Sequence, residues 1–388
     1  MLPALHGIRV VELTTMITGP MAGMMLADLG AQVVKVEQPG DGDPFRSFNG
    51  GSYSPYFCSY NRNKRSIVLD LRSAAGSAAI RKLLAVSDVL LDNFRPEVLD
   101  RLGLADDQVR AINPNLIHCS VTGFGRDGPY AARPAYDAVA QALSGMSSML
   151  LDPGDPQILG PTLADNISAH CACQGILAAL FDRARGGPAR RVEVNMLEAT
   201  IAFMPDPFSL LTRTGLVSDA RSRAHASQSF AFACGDSKLI AVHLSSRDKF
   251  WRALTDALDR PALLSDPRFS TRQSRIDNYD ELRRAVAPDF LHRPRAKWLR
   301  HFADFDLPVA PIYDVSEVVD DPHVRHLGTL FTLQHPVEGR MTAIRRPIRF
   351  DGSRQDQPAS PPPTLGEHTE EVLRELGLSP PGQETKLP

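Results

Sequence analysis

The sequence predicts an α/β protein with a large domain built on a parallel sheet, followed by a smaller α+β domain. Strand-like apolar runs alternate with helix-like segments through the first half of the 388-residue chain. Such alternation is typical of parallel strands joined by helices that cover both faces of a sheet. The pattern changes near residue 227, where a β-hairpin and then several helices are predicted. We therefore expect a large domain at residues 1–215 and a small domain at residues 225–325.

The first predicted elements form a β-α-β unit. Residues 8–13 suit a buried strand, and Pro20 suits the first turn of a helix because its missing N–H loses no hydrogen bond there. Gly30 is placed to end that helix in the left-handed conformation, and residues 32–37 form the second strand. The intervening loop lacks the G-x-G-x-x-G spacing that a dinucleotide pyrophosphate requires. The large domain is therefore predicted to be Rossmann-like in shape, without the glycine-rich loop.

The remaining elements follow in order along the chain. In the large domain we predict strands at 66–71, 88–92, 116–122 and 191–194, and helices at 74–86, 95–102, 106–112 and about 166–181. Ser73 is a favoured N-cap for the first of these helices. In the small domain we predict a hairpin of strands 229–234 and 239–244, and helices at 248–258, 278–291 and 294–305. Beyond residue 328 we predict strands at 329–334 and 341–350, a proline-rich segment at 358–363 and a helix at about 367–376.

Composition excludes several classes of protein. A net charge of −2 and 23% charged residues give no reason to expect nucleic acid or an anionic membrane as a partner. The first residues lack the basic start and apolar stretch of a signal peptide, and no run of about 18 apolar residues predicts a membrane span. The five cysteines are too few for a disulfide framework, and Cys171-Ala-Cys173 lacks the spacing of a zinc knuckle. We expect a cytoplasmic protein with free thiols and no metal site.

Motifs along the whole chain resemble those of one enzyme family. They are Gly7-Ile8-Arg9-Val10-Val11-Glu12-Leu13, Gly19-Pro20, Leu29-Gly30-Ala31-Gln32-Val33-Val34-Lys35-Val36-Glu37, Asn63-Lys64-Arg65, Asp92-Asn93-Phe94-Arg95-Pro96, Gly123-Phe124-Gly125, Tyr136-Asp137 and Leu365-Gly366-Glu367-His368-Thr369. This ordered series resembles the class III CoA-transferases, also called the CaiB/BaiF family. The resemblance implies that CoA thioesters are substrates, that no cofactor is tightly bound, and that residues 330–388 complete the large domain. It also implies a homodimer whose two chains interlock.

Asp165 is the candidate catalytic residue. It stands just before the helix predicted at 166–181, and by residue type it is a favoured N-cap that accepts N–H groups of the first turn. The resemblance implies instead that Asp165 is the catalytic aspartate, which that family places before such a helix. The two roles are partly compatible. The backbone N–H of Asn166 is a candidate donor to the oxyanions that form during acyl transfer.

The resemblance assigns CoA contacts to the first loop and to three further side chains. They are Met16, Ile17, Thr18, Arg72, Arg101 and Tyr136. Arginine suits phosphate because its guanidinium fork donates two charged hydrogen bonds at once. The alternative for Arg72 and Arg101 is a solvated charge at a helix end. Gln38 and Pro134 stand where a member of the family has basic residues, so phosphate contacts are not assigned there.

The implied reaction moves CoA from an acyl-CoA donor to a small carboxylic acid acceptor, through an anhydride and a thioester on Asp165. The alternative is an acyl-CoA racemase acting on the α-carbon of a 2-methylacyl-CoA, which needs a histidine as a second base. Tyr136 stands in place of that histidine, and a phenol is a poor base at neutral pH, which favours transfer. The sequence leaves open the donor and the acceptor, and whether Arg62 and Arg65 recognise a dicarboxylate. It also leaves open whether His170 or His243 takes part at the site.

Overall fold

The chain is built from two units. The computed structural model describes residues 3–51, 53–245, 248–354 and 359–378. The larger unit consists of Met1–Ser147, Ile158–Pro205 and Gly328–Pro388, and the smaller unit of Ser148–Gln157 and Asp206–Leu327. Residues 148–157 and 206–215, which we expected in the large domain, belong to the smaller unit. Among the described residues, no helix has both the length and the apolar character needed to cross a membrane.

Six parallel strands, all within the described residues, form the sheet of the larger unit. They are β1 (Arg9–Leu13), β2 (Gln32–Glu37), β3 (Lys64–Val68), β4 (Val89–Asp92), β5 (Ile117–Thr122) and β6 (Arg191–Asn195). Their spatial order is β3-β2-β1-β4-β5-β6, and each neighbouring pair is parallel. This is the strand order of the Rossmann fold, and it confirms the predicted parallel sheet. In such sheets ligands bind beyond the carboxyl ends of the strands where the order reverses, here between β1 and β4.

Helices connect these strands. They are α1 (Thr18–Asp28), α2 (Pro55–Tyr60), α3 (Ala74–Ala85), α4 (Pro96–Arg101), α5 (Asp106–Ile112), α6 (Asp137–Leu143), α7 (Leu163–Ala184) and α8 (Met196–Phe203). Ser73 caps α3 as predicted, because its hydroxyl accepts the N–H of Gly76 at 3.0 Å. Gly30 has a φ of 101°, which confirms the left-handed end of α1. Strand β3 starts two residues earlier than predicted because Lys64 and Arg65 also pair with β2.

Apolar side chains cover both faces of the sheet. Val10 of β1 belongs to a cluster that includes side chains of α1 and α7. Val11 and Leu13 of the same strand belong to a second cluster that includes side chains of α3. This division follows from the alternation of side chains along a strand. The sheet is therefore buried on both faces, as is usual for parallel sheets.

The smaller unit contains an antiparallel sheet, with strands β7 (Ser229–Ala233), β8 (Leu239–His243) and β9 (Val309–Ile312) in that order. The helices of this part of the chain are α9 (Pro205–Thr214), α10 (Ser222–Ser227), α11 (Lys249–Ala257), α12 (Ala262–Ser265), α13 (Arg272–Asp277), α14 (Tyr279–Phe290), α15 (Arg295–Phe302), α16 (Val315–Val318) and α17 (Pro322–Leu327). The predicted hairpin is confirmed. Strand β9 was not predicted; it lies at the edge of the sheet, where Pro311 is tolerated.

The C-terminal part of the larger unit returns to the edge of the parallel sheet. It contains β10 (Leu330–His335), β11 (Gly339–Ile344) and α18 (Thr369–Glu375). The N–H of His368 donates to the carbonyl of Ser66 at 2.9 Å, and the N–H of Val68 donates to the Thr369 hydroxyl at 3.0 Å. These bonds pair backbone groups that edge strand β3 would otherwise expose. Strand β11 ends earlier than the predicted residue 350, and Pro358 of the predicted proline-rich segment lies outside the described residues.

Six charged side chains are buried together beside β1, β2 and β3. We call Glu12, Lys35, Glu37, Asp43, Arg46 and Lys64 the buried charge network. Lys35 Nζ lies 3.2 Å from Glu12 Oε1 and 2.8 Å from Asp43 Oδ2. Lys64 Nζ lies 2.9 Å from Glu12 Oε2, and Arg46 donates two hydrogen bonds of 2.7 Å to Glu37. The acidic and basic members are equal in number, so each buried ion has a counter-ion, as ions in a protein interior require.

The network shifts the pKa values of its own members. Burial lowers the pKa of Lys35, but the carboxylates of Asp43, Glu12 and Glu37 outweigh burial and raise the pKa overall. Burial raises the pKa of Glu37, but Arg46, Lys35 and Ser66 together bring it below the ordinary value. For Lys64 burial is the dominant cause and lowers the pKa to about 8. Lys64 therefore loses its proton more readily than Lys35 as the solution becomes alkaline.

Helix α1 packs closely against Glu12 of the network and against Thr14 at two glycines. A Cβ atom on Gly23 would lie 1.9 Å from Glu12 Oε2, and a Cβ atom on Gly19 would lie 2.3 Å from Thr14 Cγ2. Glycine inside a helix costs about 1 kcal/mol relative to alanine. That cost is offset here because only a residue without a side chain leaves room for the buried carboxylate.

We expect Gly23→Ala to lower the free energy of unfolding by about 2 kcal/mol or more, although alanine is the better helix former. The added methyl group must displace the Glu12 carboxylate from Lys64, and a buried ion that loses its partner is strongly destabilising. Denaturant unfolding measures the change. Gly154→Ala is the control, because its methyl group would have only the exposed Asp152 side chain within 4 Å. A Gly23→Ala protein as stable as the native one would contradict this role of the glycine.

Candidate functional site

The loop after β1 is held by two polar side chains. Met16 has a φ of 68°, in the left-handed region that residues other than glycine seldom adopt, and its N–H donates to Asp43 Oδ1 at 3.2 Å. Asn93, directly after β4, accepts the N–H of Thr15 at 3.0 Å and donates to the carbonyl of Thr15 at 2.8 Å. The same amide donates to the Thr18 hydroxyl at 3.2 Å. The loop is therefore fixed from both sides where the strand order reverses.

The predicted CoA contacts Met16, Ile17 and Thr18 lie together in this loop and at the start of α1. Ile17 is the N-cap of α1 and Thr18 its first residue. Among the described residues, no side chain caps this helix end, and no acidic residue lies in its first turn. The first N–H groups of the helix and its dipole favour an anion at this position. Ile17 and Thr18 are buried, so the loop offers backbone groups more than side chains.

The other predicted CoA contacts lie on further connections that follow carboxyl ends of strands. Arg72 follows β3, Arg101 ends α4 after β4, and Tyr136 is the N-cap of α6 after β5. All three side chains are exposed, Tyr136 to 68%. Among the described residues, none of the three side chains is hydrogen-bonded to the first loop or to Asp165. The three residues therefore follow three different strands, and within the described part of the chain no hydrogen bond joins them to the first loop or to Asp165.

Asp165 lies in the first turn of α7 and is not its N-cap. The helix begins at Leu163 with Thr162 as N-cap, so the predicted start at residue 166 and the predicted N-cap role of Asp165 are wrong. Asn166 stabilises the earlier start, because its side-chain amide donates to the Thr162 carbonyl at 2.6 Å and to the Thr162 hydroxyl at 3.1 Å. The backbone N–H of Asn166 also donates to the Thr162 carbonyl, at 3.2 Å. That N–H is committed to the helix, which corrects its assignment as an oxyanion donor.

A second carboxylate, Asp137, holds the backbone of Asp165. The N–H of Asp165 donates to Asp137 Oδ1 at 3.1 Å. The other oxygen of Asp137 accepts the side-chain amide of Gln141, which also donates to the Pro161 carbonyl at 3.4 Å. These bonds tie the first turn of α6 to the first turn of α7. Asp137 belongs to a motif named above, but its role was missed because it lies 28 positions from Asp165.

The pKa of Asp165 is raised to about 7. Burial is the larger cause, since it disfavours the charged carboxylate, and the negative charge of Asp137 is the second. Asp165 therefore changes between its protonated and ionised forms near neutral pH, whereas an exposed aspartate does so at about pH 4. A shift of this kind, produced by burial and one identified charge, is typical of functional sites.

Tyr60, the last residue of α2, belongs to the same group of side chains. Burial raises the pKa of its phenol, hydrogen bonds with Thr162 and Asn166 oppose that rise, and the charge of Asp165 adds to it. We call Tyr60, Asp137, Gln141, Thr162, Asp165 and Asn166 the Asp165 cluster. Tyr60 was missed in the sequence because it is far from Asp165 along the chain and shares no local pattern with it.

Four further candidates have other partners. The ring of His170 is hydrogen-bonded to the carbonyl four residues earlier in α7, at 2.9 Å. His243 is hydrogen-bonded to a serine of the smaller unit at 2.6 Å. Arg62 and Arg65 form ion pairs with acidic side chains of the larger unit. Neither arginine is therefore a free cation for a dicarboxylate substrate.

Thiol and carboxylate groups are not arranged as a metal centre in the part of the chain that the structure describes. There, no group of three or more histidine, cysteine, aspartate or glutamate side chains has a geometry that could hold a metal ion. All five cysteines are free, and Cys171 and Cys173 lie on α7. Burial raises the pKa of both thiols, so neither is an activated nucleophile.

Known proteins resemble the chain in sequence and in fold. The family model described as CoA-transferase family III matches residues 5–369. Succinyl-CoA:glutarate CoA-transferase of Mus musculus is 32% identical over 382 residues, which cover 96% of this chain and 86% of that protein. Acetyl-CoA:oxalate CoA-transferase of Acetobacter aceti is 32% identical over 387 residues, 95% of either chain. The crystal structure of a CaiB/BaiF family protein from Brucella suis matches with a TM-score of 0.86 at 30% identity, covering 97% of this chain and 100% of that one.

We expect Asp165→Asn to be more stable than the native protein, by a margin that grows as the pH rises from about 4 to about 8. Because folding raises the pKa of Asp165 to about 7, the folded state binds this proton more tightly than the unfolded state. Native stability therefore falls as the pH rises through this window, by about 1–4 kcal/mol, whereas asparagine has no such dependence.

Chemical denaturation at several pH values measures this difference. Asp107→Asn is the control, because it removes an exposed aspartate of α5. A stability difference between Asp165→Asn and the native protein that does not change with pH would show that Asp165 is not held as described.

Proposed function

The chain belongs to CoA-transferase family III, and from this premise we propose that Asp165 carries CoA from an acyl-CoA donor to a carboxylic acid acceptor. The observation that supports this role is a half-buried carboxylate, fixed in the first turn of α7, with a pKa raised to about 7. CoA-transferase activity is that of the family.

The first half-reaction transfers CoA to the protein. The Asp165 carboxylate attacks the thioester carbonyl, the C–S bond breaks, and CoA leaves as a thiolate from a mixed anhydride. The thiolate then attacks the aspartyl carbonyl, the bond between that carbonyl carbon and the bridging oxygen breaks, and the donor acid leaves as a carboxylate that carries this oxygen. The product is a thioester between Asp165 and CoA.

The second half-reaction is the reverse, with a different acid. The acceptor carboxylate attacks the Asp165 thioester and expels the thiolate, which forms a second anhydride. The thiolate then attacks the acceptor carbonyl, forming the new acyl-CoA and freeing Asp165. One thioester and one carboxylate enter and one of each leaves, so the cycle needs no ATP and no net proton transfer.

Two physical properties suit Asp165 to this chemistry. Burial removes water that would solvate the carboxylate, and its fixed position directs it toward a bound carbonyl, which makes attack easier than in solution. A pKa of about 7 makes Asp165 a stronger base than an ordinary aspartate, while a large fraction remains ionised at neutral pH. Tyr136 at the position of the racemase histidine is also consistent with transfer.

We propose that CoA binds along the carboxyl edge of the parallel sheet. The N–H groups at the start of α1 suit one phosphate group, as helix N-termini do generally. The exposed guanidinium groups of Arg72 and Arg101 suit the other phosphates. Met16, Ile17 and Tyr136 then contact the uncharged parts of the molecule.

We propose a small dicarboxylate as the acceptor. The two relatives described above are named for glutarate and oxalate, which are both dicarboxylates. Their names give succinyl-CoA and acetyl-CoA as donors, so these two thioesters are the first donors to test.

We also propose that two copies of the chain associate as an interlocked homodimer. The family resemblance implies this arrangement, and exposed aromatic side chains of the larger unit support association. Phe181 of α7 is 64% exposed and Phe203 of α8 is 61% exposed. Exposed aromatic side chains of this size on neighbouring helices are compatible with a surface that binds a protein partner.

We expect incubation with succinyl-CoA, followed by borohydride, to change the mass of the peptide that contains Asp165. Borohydride reduces an aspartyl thioester to an alcohol, so the residue becomes homoserine, which peptide mass spectrometry detects. Acetyl-CoA is tested in parallel, and Asp165→Asn is the control that must remain unmodified. If no acyl-CoA modifies this peptide while the α-proton of a 2-methylacyl-CoA exchanges with deuterium from solvent, the covalent proposal fails and a racemase takes its place.

We expect Arg72→Ala and Arg101→Ala each to raise KM for acyl-CoA by about tenfold or more, with little change in kcat. A phosphate contact is remote from the reacting carbonyl and is the same in the ground state and the transition state. Steady-state kinetics measure both constants. Arg110→Ala, at an exposed arginine of α5, is the matched control. An unchanged KM in both variants would favour the alternative that these arginines are solvated charges.

A further inference from the structure

Asp137 forms no bond in the proposed reaction, yet its carboxylate is fixed beside Asp165. One oxygen accepts the N–H of Asp165 at 3.1 Å, and the other accepts the amide of Gln141. Gln141 is 1% exposed and also donates to the Pro161 carbonyl, so its own orientation is fixed. The Asp137 charge therefore has a defined position next to the backbone of the proposed nucleophile.

Among the described residues, no cation forms an ion pair with either carboxylate. Tyr60 from α2 faces them with a neutral hydroxyl, and His170 of α7 is turned to a backbone carbonyl. The charged side chains of the other elements packed on α7 have partners elsewhere: Asp28 pairs with Arg62, and Glu198 is hydrogen-bonded to Asn195. His118 of β5 and Arg191 and Glu193 of β6 belong to a cluster with Asp92, Asp106 and Arg126. The remaining ionisable group of β5, the Cys119 thiol, is buried, and burial raises its pKa, so it stays neutral. Asp137 is therefore the one charged group identified as acting on Asp165 in the described part of the chain.

We propose that Asp137 is a positioning residue whose fixed negative charge favours the covalent states of Asp165 over its free carboxylate. This inference rests on the proposed function. Free Asp165 is negatively charged beside Asp137, whereas its anhydride and its thioester are neutral. When the anhydride forms, the charge moves to the CoA sulfur; when the thioester forms, the charge leaves with the donor carboxylate. Each covalent state therefore relieves the repulsion between the two carboxylates, which like charges in a partly buried site produce.

The hydrogen bond from the Asp165 N–H has a separate effect, because it orients the first turn of α7. If the role of Asp137 were purely structural, it would consist of the hydrogen bonds that its oxygens accept from the Asp165 N–H and the Gln141 amide. These hydrogen bonds require oxygen acceptors but no negative charge. The two roles are therefore separable by substitutions that keep the acceptor and remove the charge, or that keep the charge and change the contact.

The test compares Asp137→Asn with Asp137→Glu. Asparagine keeps an oxygen that accepts the Asp165 N–H but removes the charge, whereas glutamate keeps the charge on a longer side chain. Asp137→Ser is a second neutral variant in case the asparagine protein does not fold. Asp107→Asn, which removes an exposed charge on α5, is the control for a change in net charge.

Two quantities are measured with succinyl-CoA. One is the pH dependence of the rate at which Asp165 is modified, and the other is the ratio of thioester to free Asp165 at a fixed ratio of succinyl-CoA to succinate. For the neutral variants we expect the midpoint of the pH profile to fall by about one unit or more and the thioester ratio to fall by about tenfold or more. Asp137→Glu and Asp107→Asn are expected to keep the native midpoint.

Neutral variants that react more slowly at every pH, but with the native midpoint and the native thioester ratio, would overturn the inference and leave Asp137 a structural role. The failure of the proposed function is distinguishable from this result. If no acyl-CoA modifies Asp165 in the native protein, the covalent route itself fails. If the native protein is modified and the neutral variants keep its profile, only the role of Asp137 fails.

Discussion

The mutual neutralisation of six buried ions is the constraint on which the larger unit depends. In a protein interior an ion without a partner costs several kcal/mol, so the members of the buried charge network must keep their relative positions. One member, Asp43, also accepts the N–H of Met16 and so extends the network to the loop after β1. Charge pairing in the interior thereby helps to determine the backbone geometry at the edge of the sheet where we propose that CoA binds.

The same constraint explains how a sheet with Rossmann strand order lacks the Rossmann glycine loop. Dinucleotide-binding proteins place glycines in this loop so that the backbone can approach a pyrophosphate. Here Met16 adopts a left-handed conformation while Asp43 and Asn93 hold the loop, and the glycines stand in α1 instead. Gly19 leaves room for the Thr14 side chain, and Gly23 leaves room for the buried Glu12 carboxylate. Glycine is therefore required in the helix that covers these side chains and not in the loop.

The elements that could be predicted from the sequence are those with local signals that agree with the final packing. The apolar run of β1, the cap at Ser73 and the helix end at Gly30 are examples. Strand β3 was placed too late because Lys64 and Arg65 are not typical strand residues. Lys64 can be buried there because Glu12 neutralises it and Asn61 and the Pro20 carbonyl accept its remaining protons. In the candidate site, Asp165 was identified through the family resemblance, whereas Asp137 and Tyr60 are joined to it only by tertiary packing, which leaves no local pattern.

The central claim is that CoA is transferred through a covalent bond to Asp165, and turnover with an acceptor acid labelled with heavy oxygen tests it most directly. In the proposed route the bridging oxygen of the second anhydride comes from the acceptor and remains on Asp165 when the new acyl-CoA forms. We therefore predict that label accumulates in the Asp165 carboxylate during turnover, detectable by mass spectrometry of its peptide. An Asp165 peptide that stays unlabelled after many turnovers, while acyl-CoA product forms, would contradict the account.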